Sequence, residues 1–131
     1  VELERIQARR RQLWERYDAA LRPVVTPLGV HIVRGSPRVR SNQHLFGLVL
    51  RNGAERAAFI EHMRGAGIMT PFHYVSLHTS PMGARFHDGR PLPMTERLSD
   101  CLVRLPLFFN LTDDEQQRVI SRAQDFFHGK A

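Results

Sequence analysis

Seven consecutive residues, His44-Leu45-Phe46-Gly47-Leu48-Val49-Leu50, leave few options for the fold around them. Side chains alternate between the two faces of a strand, and here both alternating sets are apolar, so the strand needs cover on both sides and belongs in the middle of a sheet. Helical segments supply that cover. Glu2 to Leu21 sets Leu3, Ile6, Leu13, Trp14, Tyr17 and Leu21 on one stripe at helical spacing, opposite a face of Glu and Arg. Arg51-Asn52-Gly53 makes a turn, and Ala54 to Ala66 forms a second amphipathic helix with Ala57, Phe59, Ile60 and Met63 inward and Gly67 as its stop. Towards the end of the chain, Thr112 and Glu115 form a capping box with Asp113 and Asp114 in the first turn. They open a helix whose Val119, Ile120, Ala123, Phe126 and Phe127 point inward and which ends at Gly129. The expected architecture is α+β, a small and mainly antiparallel sheet covered by helices, in a single domain over residues 1–131.

The remaining segments connect these elements. Pro23 and Pro27 stop the first helix, Gly29 lets the chain turn, and Val30 to Val33 reads as a short strand. Arg34 to Gln43 is a polar loop carrying Arg34, Arg38 and Arg40; it is either a solvated hairpin loop or a place where guanidinium groups hold a diphosphate by bidentate contacts. Ser80 to Phe86 suits a short helix and His87 to Pro93 an irregular loop, after which Thr95 caps a helix leading into a strand near Val103 to Leu107.

Composition narrows the function classes. The net charge of +6 comes from eighteen arginines and one lysine. The arginines are scattered from Arg5 to Arg122 and the phenylalanines fall at core spacings, which argues against a nucleic-acid surface, where charge is concentrated and interleaved with stacking aromatics. No run of about 18 apolar residues exists to cross a membrane, and Val1-Glu2-Leu3-Glu4-Arg5 lacks the apolar segment of a signal peptide, so the expected location is cytoplasmic. The lone cysteine, Cys101, sits in the pattern Leu98, Cys101, Leu102, Leu105 and is expected to be a buried core thiol rather than a nucleophile.

The chemistry-bearing stretch is Ile68 to Gly83, I-M-T-P-F-H-Y-V-S-L-H-T-S-P-M-G. It reads as an apolar strand that ends in two histidines, a tyrosine and several hydroxyls, which makes it either a strand-end pair packed in the core or a hydrogen-bonding site. Metal binding is not expected: His73 and His78 stand at an odd spacing and would point to opposite faces of a regular strand. A nucleophilic serine is not expected either, because Ser76 and Ser80 lack a G-x-S-x-G context.

His73, Tyr74, Leu77 and His78 resemble the H-Y-x-P-L-H signature of the DegT/DnrJ/EryC1/StrS sugar aminotransferases, with Ser76 where that family usually has proline. A second match, L-P-L-F-F-N-L-T from Leu105 to Thr112, lies at the expected distance downstream, and the nearest branch looks like the TDP-4-keto-6-deoxyglucose transaminases. The resemblance implies the C-terminal small domain of a fold-type I transferase dependent on pyridoxal phosphate, with residues 1–22 as the long interdomain helix and the large cofactor-binding domain not included. It further implies that His73 and Tyr74 contact a nucleotide-sugar substrate, that L-glutamate is the amino donor, and that the parent is a homodimer; His78 is either a further substrate contact or a structural residue fixing the following loop, and Arg40 of the arginine loop is a candidate contact to the same substrate.

Such chemistry needs a lysine for the cofactor, an acidic partner for the pyridine nitrogen and donors for the phosphate. The only lysine is Lys130, one residue from the end, so no catalytic or cofactor-binding residue is expected in this chain, and the fragment alone is expected to be inactive. The serine at position 76 should leave the following loop less rigid than a proline would. Two other readings stay open: a self-contained module whose arginine loop binds an anion or an acidic partner, and a sugar dehydratase relative of the same family.

Overall fold

The computed structural model describes residues 2–36 and 38–129. Four α-helices, α1 (Glu2–Val25), α2 (Gly53–Gly65), α3 (Pro93–Cys101) and α4 (Asp113–His128), surround three strands, β1 (His31–Ile32), β2 (Phe46–Val49) and β3 (Leu102–Leu105). The strands lie in the order β1-β2-β3 and both pairings are antiparallel, with Phe46 opposite Leu105 and His31 opposite Val49. β2 is central and buried along its whole length, as its two apolar faces require.

One core joins these elements. Phe46 reaches α1, its ring 5.1 Å from that of Tyr17 and 5.5 Å from that of Trp14. Behind the sheet, Phe59 of α2 packs against Phe126 and Phe127 of α4 at 5.2 and 5.5 Å. Burying a side chain of this size contributes about 1.5–3 kcal/mol, so these rings dominate the stability of the domain. Two polar groups in the core tie it together: Tyr17 donates its hydroxyl to the Pro106 carbonyl at 2.8 Å, and the fully buried Gln116 donates from Nε2 to the Leu13 carbonyl at 2.7 Å, joining α4 to α1. The Thr112–Glu115 capping box is formed, with both reciprocal bonds in place.

Several sequence expectations give way. α1 does not stop before Pro23 but runs through it to Val25 and into a 3-10 turn at Thr26–Leu28. A proline forfeits one backbone bond of the helix, and the complete burial of Leu21 and Val25 on the core side offsets that loss. On α2, Ala57 faces solvent while Glu55, Phe59 and Met63 are buried; the buried stripe follows four-residue steps, which puts Ala57 on the far side. α3 begins at Pro93 and not after Thr95, because a proline in the first turn gives up an N–H that has no helical partner anyway. Leu3 and Leu98, assigned to apolar stripes, are exposed.

The largest departure concerns Ile68 to Gly83, which forms no strand. It makes one antiparallel bridge, Phe72 to Val103, and then leaves the sheet for 3-10 turns at Leu77–Thr79 and Gly83–Arg85. Pro71 lacks an N–H to offer β3 and uses only its carbonyl, which accepts from the Arg104 amide at 2.9 Å. Ladder pairing ends there.

Candidate functional site

His73, Tyr74 and His78 line one groove of about 530 Å³ together with Leu92, Thr95, Leu98 and Leu102. The two histidines share it because the backbone between them is irregular, so strand alternation does not separate them. α3 forms the groove's floor and holds the segment in place. Ser99 Oγ donates to the Tyr74 carbonyl at 2.9 Å and accepts from the Ser76 amide at 3.1 Å. Glu96 Oε1 lies 3.0 Å from His78 Nε2.

The three signature residues differ in setting. Tyr74 is 71% exposed and its ring meets that of His73 edge-on at 4.5 Å, so the phenol projects outward while the imidazole supports it. His73 Nδ1 is buried and has no hydrogen-bond partner among the described residues. Burial, then the Arg104 guanidinium and His44, push the His73 imidazole below its ordinary pKa, so it is neutral at pH 7. A neutral imidazole carries its proton on one ring nitrogen only, so His73 can donate one hydrogen bond to a ligand. His78 is only 11% exposed and its bond to Glu96 makes it the brace of the following turn. That bond, then the Leu92 amide, hold the Glu96 carboxyl below the usual carboxylate range.

Arg40 stands apart. It lines a second groove at the start of α1 with Leu3, Gln7, Arg11 and Asn42, and shares no lining residue with the first. Of the other loop arginines, Arg34 is occupied: it pairs with Asp18 at 2.5 Å and lies over the Trp14 ring at 5.4 Å. The loop therefore does not present three free guanidinium groups to one ligand.

Reasoning from sequence missed Glu96, Ser99 and Arg104. The Thr95, Glu96, Ser99 spacing does put these polar residues on one face of a helix, a signal that was present but had no partner to point to.

Pyridoxal phosphate does not fit the residues described. None of them is a lysine, and Lys130 lies outside the described residues, so the groove offers no amine for the cofactor. No group of three or more histidine, cysteine, aspartate or glutamate residues among those described is placed to hold a metal ion.

The fold of α1, α2 and α4 around a three-stranded antiparallel sheet recurs within solved aminotransferases. It superposes on an aminotransferase, TlmJ, from Streptoalloteichus hindustanus with a TM-score of 0.83 and 27% identity, over 98% of this chain and 34% of that one. It also superposes on DesV from S. venezuelae, solved with a ketimine intermediate, with a TM-score of 0.80 and 26% identity, over 92% of this chain and 32% of that one. A DegT DnrJ EryC1 StrS aminotransferase from Brucella abortus shares the fold at 22% identity and a TM-score of 0.76, over 93% of this chain and 31% of that one. The model of the DegT/DnrJ/EryC1/StrS aminotransferase family matches residues 1–124, and the chain belongs to that family. It spans about a third of the length of these solved relatives.

Proposed function

We propose that this chain is the C-terminal small domain of a nucleotide-sugar aminotransferase dependent on pyridoxal phosphate, and that its groove supplies contacts to the sugar substrate. The observation that carries the reading is Tyr74. An aromatic residue 71% exposed, backed by a neutral imidazole and fixed by the Ser99 hydroxyl at its own carbonyl, is placed for contact with a ligand and not for the core. Family membership over residues 1–124 supports the reaction class.

In this reading the parent moves an amino group from L-glutamate to a TDP-linked 4-keto-6-deoxysugar. The cofactor, which supplies the electron sink for that transfer, is held by the part of the relatives' length that this chain does not span. His73 Nε2–H and the Tyr74 hydroxyl hydrogen-bond to oxygens of the sugar, the Tyr74 ring stacks against it, and His78 with Glu96 sets the turn beside them. Arg40 would reach the nucleotide only if another part of the enzyme brought the two grooves together. The exposed Leu3 at the start of α1 and the apolar rim of Tyr74, Val75 and Leu77 suit contact with the rest of the parent. A homodimer in the cytoplasm fits this picture.

The test uses the intact parent enzyme and separates its two half-reactions. His73→Ala and Tyr74→Phe should slow the half-reaction with the nucleotide sugar about tenfold to a hundredfold, as losing a bond to a charged substrate costs about 1.5–3 kcal/mol. The half-reaction with the amino donor should keep its rate. Equal loss in both halves, or in neither, would show that the groove does not serve the sugar.

A further inference from the structure

Ser76 occupies the position where the family motif has proline, and the structure shows what takes the proline's place. The residue is 6% exposed and its backbone stands at φ −58° and ψ 127°, inside the range a pyrrolidine ring imposes. Unlike proline, serine brings an N–H into this buried position, where an unmatched donor is costly. Ser99 Oγ accepts that N–H at 3.1 Å, and the same hydroxyl donates its own proton to the Tyr74 carbonyl at 2.9 Å. The Ser76 hydroxyl reaches the Thr95 carbonyl at 3.4 Å, and the Ser76 carbonyl accepts from the Thr79 hydroxyl at 2.9 Å and its amide at 3.2 Å. Ser99 is itself held: its carbonyl accepts from Arg56 of α2 at 2.6 Å.

We propose that Ser99 is a positioning residue for the sugar site, its hydroxyl clamping the Ser76 amide and the Tyr74 carbonyl so that Tyr74 faces the groove. One hydroxyl does two jobs here, donor to one residue of the signature and acceptor from another, across 23 and 25 positions of sequence. The clamp does by hydrogen bonds what a proline does by covalent restriction. It follows that the two solutions are interchangeable: with proline at position 76 there is no N–H left to satisfy, and Ser99 loses half of its task. The assignment of Tyr74 to the sugar rests on the function proposed above; the clamp itself does not.

Four variants of the intact parent enzyme test it: Ser99→Ala, Ser99→Thr, Ser76→Pro, and Ser99→Ala combined with Ser76→Pro. Ser99→Ala should raise KM for the nucleotide sugar about tenfold, the loss expected for an orphaned buried donor and a released carbonyl, with kcat and the amino-donor half-reaction within about twofold of wild type. Ser99→Thr, which keeps the hydroxyl, should restore most of the affinity. Ser76→Pro should leave KM near wild type, and in that background Ser99→Ala should cost measurably less than it does alone, because only the bond to the Tyr74 carbonyl is then lost. Peptide-level hydrogen exchange over residues 74–79 reads the clamp without any substrate and should be faster in Ser99→Ala and suppressed again in the combined variant. Unchanged exchange in Ser99→Ala, or losses in Ser99→Ala and Ser76→Pro that simply add, would overturn the clamp. Faster exchange with an unchanged KM would support the clamp and count against the assignment of Tyr74 to the sugar.

Discussion

The body formed by α1, α2, the sheet and α4 is held together quite differently from the stretch between Pro71 and Leu92. In the body, Leu13, Tyr17, Leu21, Phe46, Phe59 and Phe127 are fully buried and the backbone bonds to itself in helices and ladders. In the stretch, Tyr74, Leu77, Met82 and Phe86 are between 61% and 82% exposed, and the backbone is caught by side chains: Ser99 at Tyr74 and Ser76, Ser80 Oγ at the Leu77 carbonyl and the Gly83 amide. Similar residues thus meet opposite fates. An apolar side chain stabilises a fold only where the chain's period brings it to a shared face; where the period is broken, the same side chain is left for a partner.

The widest gap between the two regions should appear on truncating an aromatic ring in each. Phe46→Ala should destabilise the domain by about 3–5 kcal/mol in urea unfolding, through lost transfer energy and the cavity left beside Trp14 and Tyr17. Tyr74→Ala should change stability by about 0.5 kcal/mol or less, the usual range for an exposed side chain, yet impair turnover of the nucleotide sugar. A large stability loss from Tyr74→Ala would erase the distinction between body and groove.

A methyl group at Gly83 sharpens it from the other side. A Cβ there would stand 1.8 Å from the Leu77 carbonyl oxygen, so Gly83→Ala should force the two 3-10 turns apart and weaken the brace between His78 and Glu96. The expected signature is local, faster hydrogen exchange over residues 76–86 with the α1 and α4 amides unchanged.

Acid and alkali should act on different regions. Burial raises the Tyr17 phenol above its ordinary 10.0, so its contribution is fully present below about pH 10 and is lost as the pH climbs beyond that. Glu96 and His73 are both lowered, so their contributions are present above their ordinary 4.5 and 6.5 and are lost as the pH falls. Near-ultraviolet circular dichroism of the body should therefore fail first in alkali, and exchange over residues 73–79 should quicken first in acid. The smallest effect, about 1 kcal/mol, is expected for Thr112→Ala, which removes one capping bond of α4 and leaves the groove untouched.

The body was legible in the sequence because its signals are local. The doubly apolar run at β2, the capping box of Thr112 and Glu115 and the inward set from Val119 to Phe127 each need only a period or a short spacing to be recognised. The stretch after Pro71 was not. Phe72, Val75 and Leu77 have the composition of a strand, and what overrides it lies about 20 residues downstream, on the Thr95, Glu96 and Ser99 face of α3. Nor did the pattern reveal that Arg104 stands beside His73, since that proximity depends on a single bridge between Phe72 and Val103. The expectation that Ser76 loosens the loop also met a non-local answer, because Ser99 and Thr95 hold it.

Hydrogen exchange of the intact parent, with and without the nucleotide sugar proposed above as its substrate, tests most directly whether the groove on α3 receives the sugar. The account predicts slower exchange over residues 73–79 on adding the sugar, with the arginine loop at 34–43 affected less and the core of α1 and α4 unchanged. Protection confined to the arginine loop, with none at Tyr74 and its neighbours, would contradict it.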